Sequence, residues 1–214
     1  MVVSARAATR APRRRLSAPE RRARIVAAAR TVFAAKGFAS ASLDDVAARA
    51  RITKPVIYDH FSSKDDLYVQ VLQEGSDDLL RELLATLGAR DAAPDDEVAA
   101  MLDALFAWIR SHPDHWRLLF REPTGPRRIM RAHKRIRVRA GAALAAELLN
   151  GHGDDDPQRV EMMSEMLAGA MHALTEWWYD HRDVPAEKLR DVAMAVLWDG
   201  LSAGVATGGR RTPR

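Results

Sequence analysis

Residues 42–64 read SLDDVAARARITKPVIYDHFSSK, and this stretch decides the fold. Ser42 followed three residues later by Asp45 is a capping box that opens a short helix with Leu43, Val46 and Ala47 turned inward. Ala50-Arg51-Ile52 makes a tight turn. Thr53 is expected to cap a third helix over Lys54–Phe61, with proline tolerated in its first turn because the missing N–H has no helical partner there. Ser63-Lys64-Asp65-Asp66 caps a fourth helix that continues through Leu67, Val71, Leu72, Leu79, Leu83 and Leu87. Two short helices about a tight turn form a helix-turn-helix pattern.

Upstream, Ser17-Ala18-Pro19-Glu20 is a second capping box. Ile25, Ala28, Ala29, Val32 and Phe33 repeat at helical spacing behind it, and Gly37 is the expected stop. Residues 1–16 have no periodicity and carry Arg6, Arg10, Arg13, Arg14 and Arg15, which predicts a disordered basic arm. Residues 1–64 hold fourteen Lys/Arg against four Asp/Glu, a net +10, whereas the other 150 residues are net −6. A basic N-terminal segment on a larger acidic body suits a polyanion-binding module joined to a separate domain. Charge by itself does not separate nucleic acid from an anionic membrane.

The 214 residues are 47% hydrophobic and 29% charged, values of an ordinary globular protein. With no cysteine, disulfides, thiolate nucleophiles and Cys-ligated metals are excluded. No apolar run reaches the ~18 residues of a membrane span, and no hydrophobic signal segment is present. A cytoplasmic protein with no membrane partner is the expectation. Strand signals are nearly missing, so the chain reads as all-α with about nine helices. The later helices are expected over 95–110, 113–121, 126–150, 157–182 and 185–206, with a polar loop at 151–156. The expected units are the arm 1–16, a DNA-binding domain 17–64, an effector-binding and dimerisation domain 65–207 and a tail 208–214.

A helix-turn-helix lays the N-terminal part of its second helix in the DNA major groove. The segments Ile25…Ala28-Ala29…Val32-Phe33…Lys36-Gly37-Phe38, Ser42–Ala47, Thr53–Phe61 and Ser63-Lys64 together resemble the tetracycline-repressor-like (TetR) transcriptional regulators. The tail of this match, Tyr58-x-His60-Phe61 followed by Ser63-Lys64, is its most specific part. The resemblance implies a homodimer that binds double-stranded operator DNA and, through its C-terminal domain, a small effector. It also implies glycine at the turn, where this chain has Arg51. By residue type, the hydroxyls and amides of Ser42 and Thr53 suit phosphate oxygens. Lys54, Tyr58, His60 and Lys64 can donate to the DNA backbone. Val56, beside Pro55, has only a methyl surface to offer a thymine methyl.

Other constellations are weaker. Glu165, His172 and Glu176 share a stripe, and His112 and His115 bracket a helix start, but neither has metal-ligand spacing, so no metal and no cofactor is expected. Phosphate loops, nucleophile elbows and metalloprotease motifs are missing, so the chain reads as a non-enzyme. On the helix from 126, His133 and Arg137 fall on the apolar side. They meet either an anionic effector or a carboxylate of a neighbouring helix. Trp108, Trp116, Phe120, Met130, Met166 and Trp177 suit either an apolar effector pocket or plain core. The dimer seam is expected on the last two helices. One contributes Met163, Leu167, Ala170, Leu174 and Trp178. The other contributes Leu189, Val192, Ala193, Val196, Leu197, Gly200, Leu201 and Gly204. The reading is therefore a regulator, in the repressing sense, released from a palindromic operator by a largely apolar effector. The other class that fits is a small-molecule-sensing or scaffolding α-helical bundle whose basic N-terminus binds an anionic surface.

Overall fold

The computed structural model describes residues 16–87, 93–121, 125–149 and 157–198, and all regular structure among them is helical. The N-terminal part comprises α1 (Ala18–Ser40), α2 (Leu43–Ala50), α3 (Lys54–Tyr58) and α4 (Lys64–Leu84). Then follow α5 (Pro94–Ser111), α6 (Pro113–Phe120), α7 (Arg127–Leu149), α8 (Pro157–Asp180) and α9 (Ala186–Ala193), the last running into a π-helical turn at Met194–Trp198. The expected arm, apart from Leu16, and the tail 208–214 lie outside the described residues. None of the described helices is long and apolar enough to cross a membrane.

Local chemistry sets the N-terminal boundaries. Ser17 with Glu20 and Ser42 with Asp45 form reciprocal capping boxes, and Ser63 accepts from the Asp66 amide. Three expectations need correction. Gly37 does not end α1. It leaves helical geometry at φ 74°, and the helix resumes for one more turn to Ser40. Thr53 supplies no side-chain cap to α3. That helix closes at Tyr58 rather than Phe61, because the amides of Asp59, His60 and Phe61 turn back onto Pro55 and Ile57.

Two apolar cores meet along α4. The first joins Ile25, Phe33, Phe38, Val46, Ile57 and Phe61 to Leu67, Tyr68, Val71 and Leu72. It also contains Leu118 of α6 and Ile129 of α7. The second is built on Leu83, Leu105, Phe106, Trp108, Trp116, Trp178 and Leu189. The core of the N-terminal module thus continues past residue 64 and takes two side chains from the C-terminal body. Fewer than fifty residues in three short helices bury too little on their own, and α4, α6 and α7 supply the rest.

Candidate nucleic-acid interface and effector region

α2 is pinned to α1 by an ion pair, Lys36 Nζ to Asp45 Oδ1 at 2.7 Å. That bond, with the donors of Ser42, holds the pKa of the Asp45 carboxyl at about 2, so it stays ionised and the cap stays closed at neutral pH. Arg51 terminates α2 in the left-handed region at φ 54°, ψ 48°. This turn fixes the angle at which α3 leaves, and α3 then buries only Ile57. Its other side chains face outward. Pro55 and Asp59 are exposed, Tyr58 is 53% exposed, and Val56 and His60 are partly so.

The expected contact residues differ in how free they are. Thr53 is exposed and its hydroxyl has no cap to serve. Lys54 is held by Asp44 at 3.0 Å, which raises the pKa of its ammonium. Lys64 donates to the Ala39 carbonyl at 3.4 Å and lies over the Phe38 ring at 4.4 Å. Ser42 is the least free of them. Its hydroxyl and its amide both donate to Asp45, at 2.8 and 3.0 Å, so its hydroxyl hydrogen is already used inside the fold.

Behind this surface the module is wired to the body through α6. Arg30 of α1 lies 3.3 Å from His115 Nε2. Guanidinium only donates, so the ring accepts at Nε2 and carries its hydrogen on Nδ1, which is buried without a partner. His115 stacks on Trp108, and its ring presses on Gly75 of α4, where a Cβ would sit 3.1 Å from Cδ2. Trp108 in turn donates to Asp78 at 3.1 Å. Burial, then the charge of Arg30, pushes the His115 pKa down to about 4. No sequence signal marks Arg30 or Gly75, and His115 reads there as part of a helix start. Only the packing of α1, α4 and α6 brings them together.

The expected pocket residues divide. Trp108 and Trp116 are buried, Phe120 is partly buried and stacks toward His172, and His133 is buried. His133 meets neither a carboxylate nor open space: its Nε2 lies 3.0 Å from the Leu118 carbonyl, and burial lowers its pKa. Arg137 is exposed on α7. Met130, Met166 and Trp177 are 48%, 75% and 47% exposed, so they are not interior lining in the protomer. His172, with its Nδ1 buried and unpartnered, joins Phe120 and His133 instead. Among the described residues no group of His, Asp or Glu is arranged to hold a metal ion.

The expected seam divides too. Trp178, Leu189 and Ala193 are 2–3% exposed inside the protomer's own core, where Trp178 packs edge-on against Phe106. Met163, Leu167, Ala170 and Leu174 are half-buried. Val192 and Val196 are exposed, as are Met162, Met166 and Trp177 on α8. Leu197 carries no described side chain, and Gly200, Leu201 and Gly204 lie outside the described residues.

A short outward-facing helix, angled by a capped neighbour and braced by an all-helical body, is the construction of a helix-turn-helix regulator. Residues 25–71 match the bacterial regulatory proteins of the tetR family, and residues 94–200 match the tetracyclin repressor-like C-terminal domain. The chain belongs to the TetR family and is a DNA-binding transcriptional regulator. It is 27% identical over 190 residues to the HTH-type transcriptional activator FasR of Mycolicibacterium smegmatis, covering 88% of this chain and 86% of that one. It is 36% identical over 101 residues to the HTH-type transcriptional repressor SCO4008 of Streptomyces coelicolor, covering 47% and 48%. A TetR-like regulator from Rhodococcus sp. RHA1 shares the fold with a TM-score of 0.69 at 24% identity, covering 88% of this chain and 99% of that one.

Proposed function

We propose that this chain is a homodimeric, cytoplasmic, non-catalytic repressor that leaves a palindromic operator when a small, largely apolar effector binds its C-terminal body. The observation that carries the reading is the bracing of the recognition module by α6, through Leu118 in its core and His115 against Arg30. An effector that favours a different setting of α6 must weaken operator binding by the same factor as the operator weakens effector binding. Phe120 and the His172 ring stacked on it supply an apolar wall with one polar point for that ligand. A dimer on the operator obstructs whatever else must sit there, so release permits transcription.

The apolar stripe on α8, with Met162, Met166 and Trp177 exposed, and the Val192–Val196 edge beyond it form the dimer face in this reading. Tyr58, His60, Thr53, Lys54 and Lys64 position the DNA, and Val56 with Pro55 meets the bases. Selection of bound sequences from a random pool should return a palindrome with half-site centres about 34–36 Å apart or a multiple of that spacing. Val56→Ser should lose about 1 kcal/mol at one T·A pair per half-site and leave the salt dependence alone. Met166→Glu combined with Val196→Glu should give a monomer by light scattering. A non-palindromic consensus, or a double variant that stays dimeric, would overturn the reading.

A further inference from the structure

We propose that Arg117, Arg121 and Arg182 form an oxyanion-binding site, over the Trp116–Tyr179 ring pair, that takes the carboxylate or phosphate end of the effector. Arg117 belongs to α6, Arg121 caps its C-terminus, and Arg182 lies just beyond α8. All three guanidinium carbons sit within 6 Å of the Tyr179 ring centre, at 5.7, 5.9 and 4.9 Å. Arg117 is oriented by two bonds to the Tyr179 hydroxyl, from Nε at 3.1 Å and Nη2 at 2.8 Å. Arg182 also lies 4.9 Å from the Trp178 ring and 5.7 Å from that of Trp116.

Three cations around one ring repel unless something negative joins them. Among the described residues the only carboxylate within 4 Å of the three is Asp114, 3.9 Å from Arg117. The body is not short of carboxylates, being net −6 outside the first 64 residues. Elsewhere it uses them: Arg190 pairs with Asp103 and Asp191, and Arg128 with Asp65. Cations at the ends of α6 and α8 also answer the helix dipoles, but that accounts for one per helix end and not for a triplet. Partial burial and the charge of Arg117 push the Arg182 pKa down, against a smaller raising effect of Tyr179. A second donor is unmet in the same place. Trp116 is fully buried against Tyr179, ring centres 4.4 Å apart, and its indole N–H has no acceptor.

Guanidinium forks bind the paired oxygens of carboxylate and phosphate two at a time. The aromatic pair gives the rest of such a ligand an apolar floor. The position also connects to the output, because the same α6 turn carries Leu118 in the recognition module's core. On sequence Arg137 meets either an anionic effector or a carboxylate of a neighbouring helix; in this proposal the anionic contact belongs to the three converging arginines instead. The effector half of the proposal rests on the reading above, whereas anion binding does not.

The test uses the full chain. Thermal shift and calorimetry with inorganic phosphate, octanoate, octyl phosphate and octanol separate a free anion from an effector head group. Octanoate or octyl phosphate should bind at least tenfold more tightly than octanol and than inorganic phosphate. Arg121→Gln with Arg182→Gln, both at exposed positions, should remove that preference while circular dichroism and operator binding stay at wild-type levels. Arg135→Gln on α7 should change nothing. Equal affinity for octanol and octanoate, or a preference that survives the double variant, overturns the site. Binding of inorganic phosphate as tightly as the octyl anions overturns the effector assignment. Retained operator binding in those cases would leave the regulator reading standing and isolate the failure to this site.

Discussion

The two halves of this molecule use their polar side chains in opposite ways. In the recognition module a set of such groups is spent on local geometry: Ser17 with Glu20, Ser42 with Asp45, Lys36 with Asp45, Lys54 with Asp44. In the body, His115, Trp116 and His172 keep buried atoms without partners, and two arginines of the Tyr179 cluster have no counter-ion among the described residues. The first pattern fixes a surface in advance so that DNA meets it ready-made. The second, in the function proposed above, leaves donors that a ligand would meet. A regulator needs both, and here they adjoin along α4 and α6.

The largest test of the comparison asks whether the module is independent of the body. Leu118 is 5% exposed and completes the module's core from α6. Leu118→Ala should cost about 2–5 kcal/mol, as a buried leucine truncation does. If the halves form one cooperative unit, urea denaturation followed by Trp emission and by circular dichroism should shift together. Two separated transitions, with only the body destabilised, would show that the module stands alone.

The next test is pH. His115 is neutral in the folded protein with a pKa pushed down to about 4, while in the unfolded chain it titrates near its usual 6.5. Between these values the unfolded state binds the proton and the folded state does not. Stability is therefore fully present above about pH 6.5 and falls as pH drops toward 4, by about 3 kcal/mol. His115→Gln should flatten this part of the profile. Because the proton would occupy the nitrogen that accepts from Arg30, operator affinity should weaken over the same interval. A wild-type profile flat from pH 7 to 5 would remove His115 from the coupling.

What could be read from the sequence follows the same division. The capping boxes, the helix-turn-helix and the outward face of α3 depend on residues three or four apart, and local chemistry determines them. Arg51 does not belong to this group: the resemblance implies glycine there, and only the structure shows that the arginine takes the left-handed turn. The uses of the body's apolar residues depend on which helix packs where. Trp177 and Trp178 are adjacent on α8, yet one is 47% exposed and the other 2%. Hydrophobicity does not separate them; the neighbours do. For the same reason sequence spacing leaves Arg137 between an anionic effector and a neighbouring carboxylate, while Arg117, Arg121 and Arg182 meet only once α6 and the end of α8 are side by side.

A smaller effect probes the contact between the halves without deleting any group. A Cβ at Gly75 would stand 3.1 Å from Cδ2 of His115. The ring is confined by Trp108 on its face and Arg30 at Nε2, so it yields only by a few tenths of an ångström. Alanine's better helix propensity, worth close to ~1 kcal/mol, offsets most of the packing cost. Gly75→Ala should therefore change stability by less than about 1 kcal/mol and still loosen the link, lowering operator affinity several-fold at constant Tm. Unchanged operator affinity would mean that the α4–α6 contact carries packing and no signal.

The smallest expected effect lies in the turn of the recognition module and tests how far that half is strained in advance. Arg51, exposed and with no ion pair among the described residues, holds φ 54°, and among those residues no other non-glycine has a positive φ. An L-residue in that region costs about 1 kcal/mol, and glycine does not. Glycine also gains freedom in the unfolded chain, which returns part of the difference. Arg51→Gly should then stabilise the protein by about 0.5 kcal/mol, within reach of paired urea titrations. Stability and DNA binding should move in opposite directions. If the strained arginine is kept to hold a phosphate, the glycine variant binds all DNA sequences more weakly, and the slope of log affinity against log salt falls by about 0.9 for each phosphate released. Arg51→Asn, whose short side chain tolerates the same backbone region without the charge, should reproduce the weaker binding. If both variants keep the full salt slope, Arg51 touches no phosphate and the strain at this turn serves only the angle between α2 and α3.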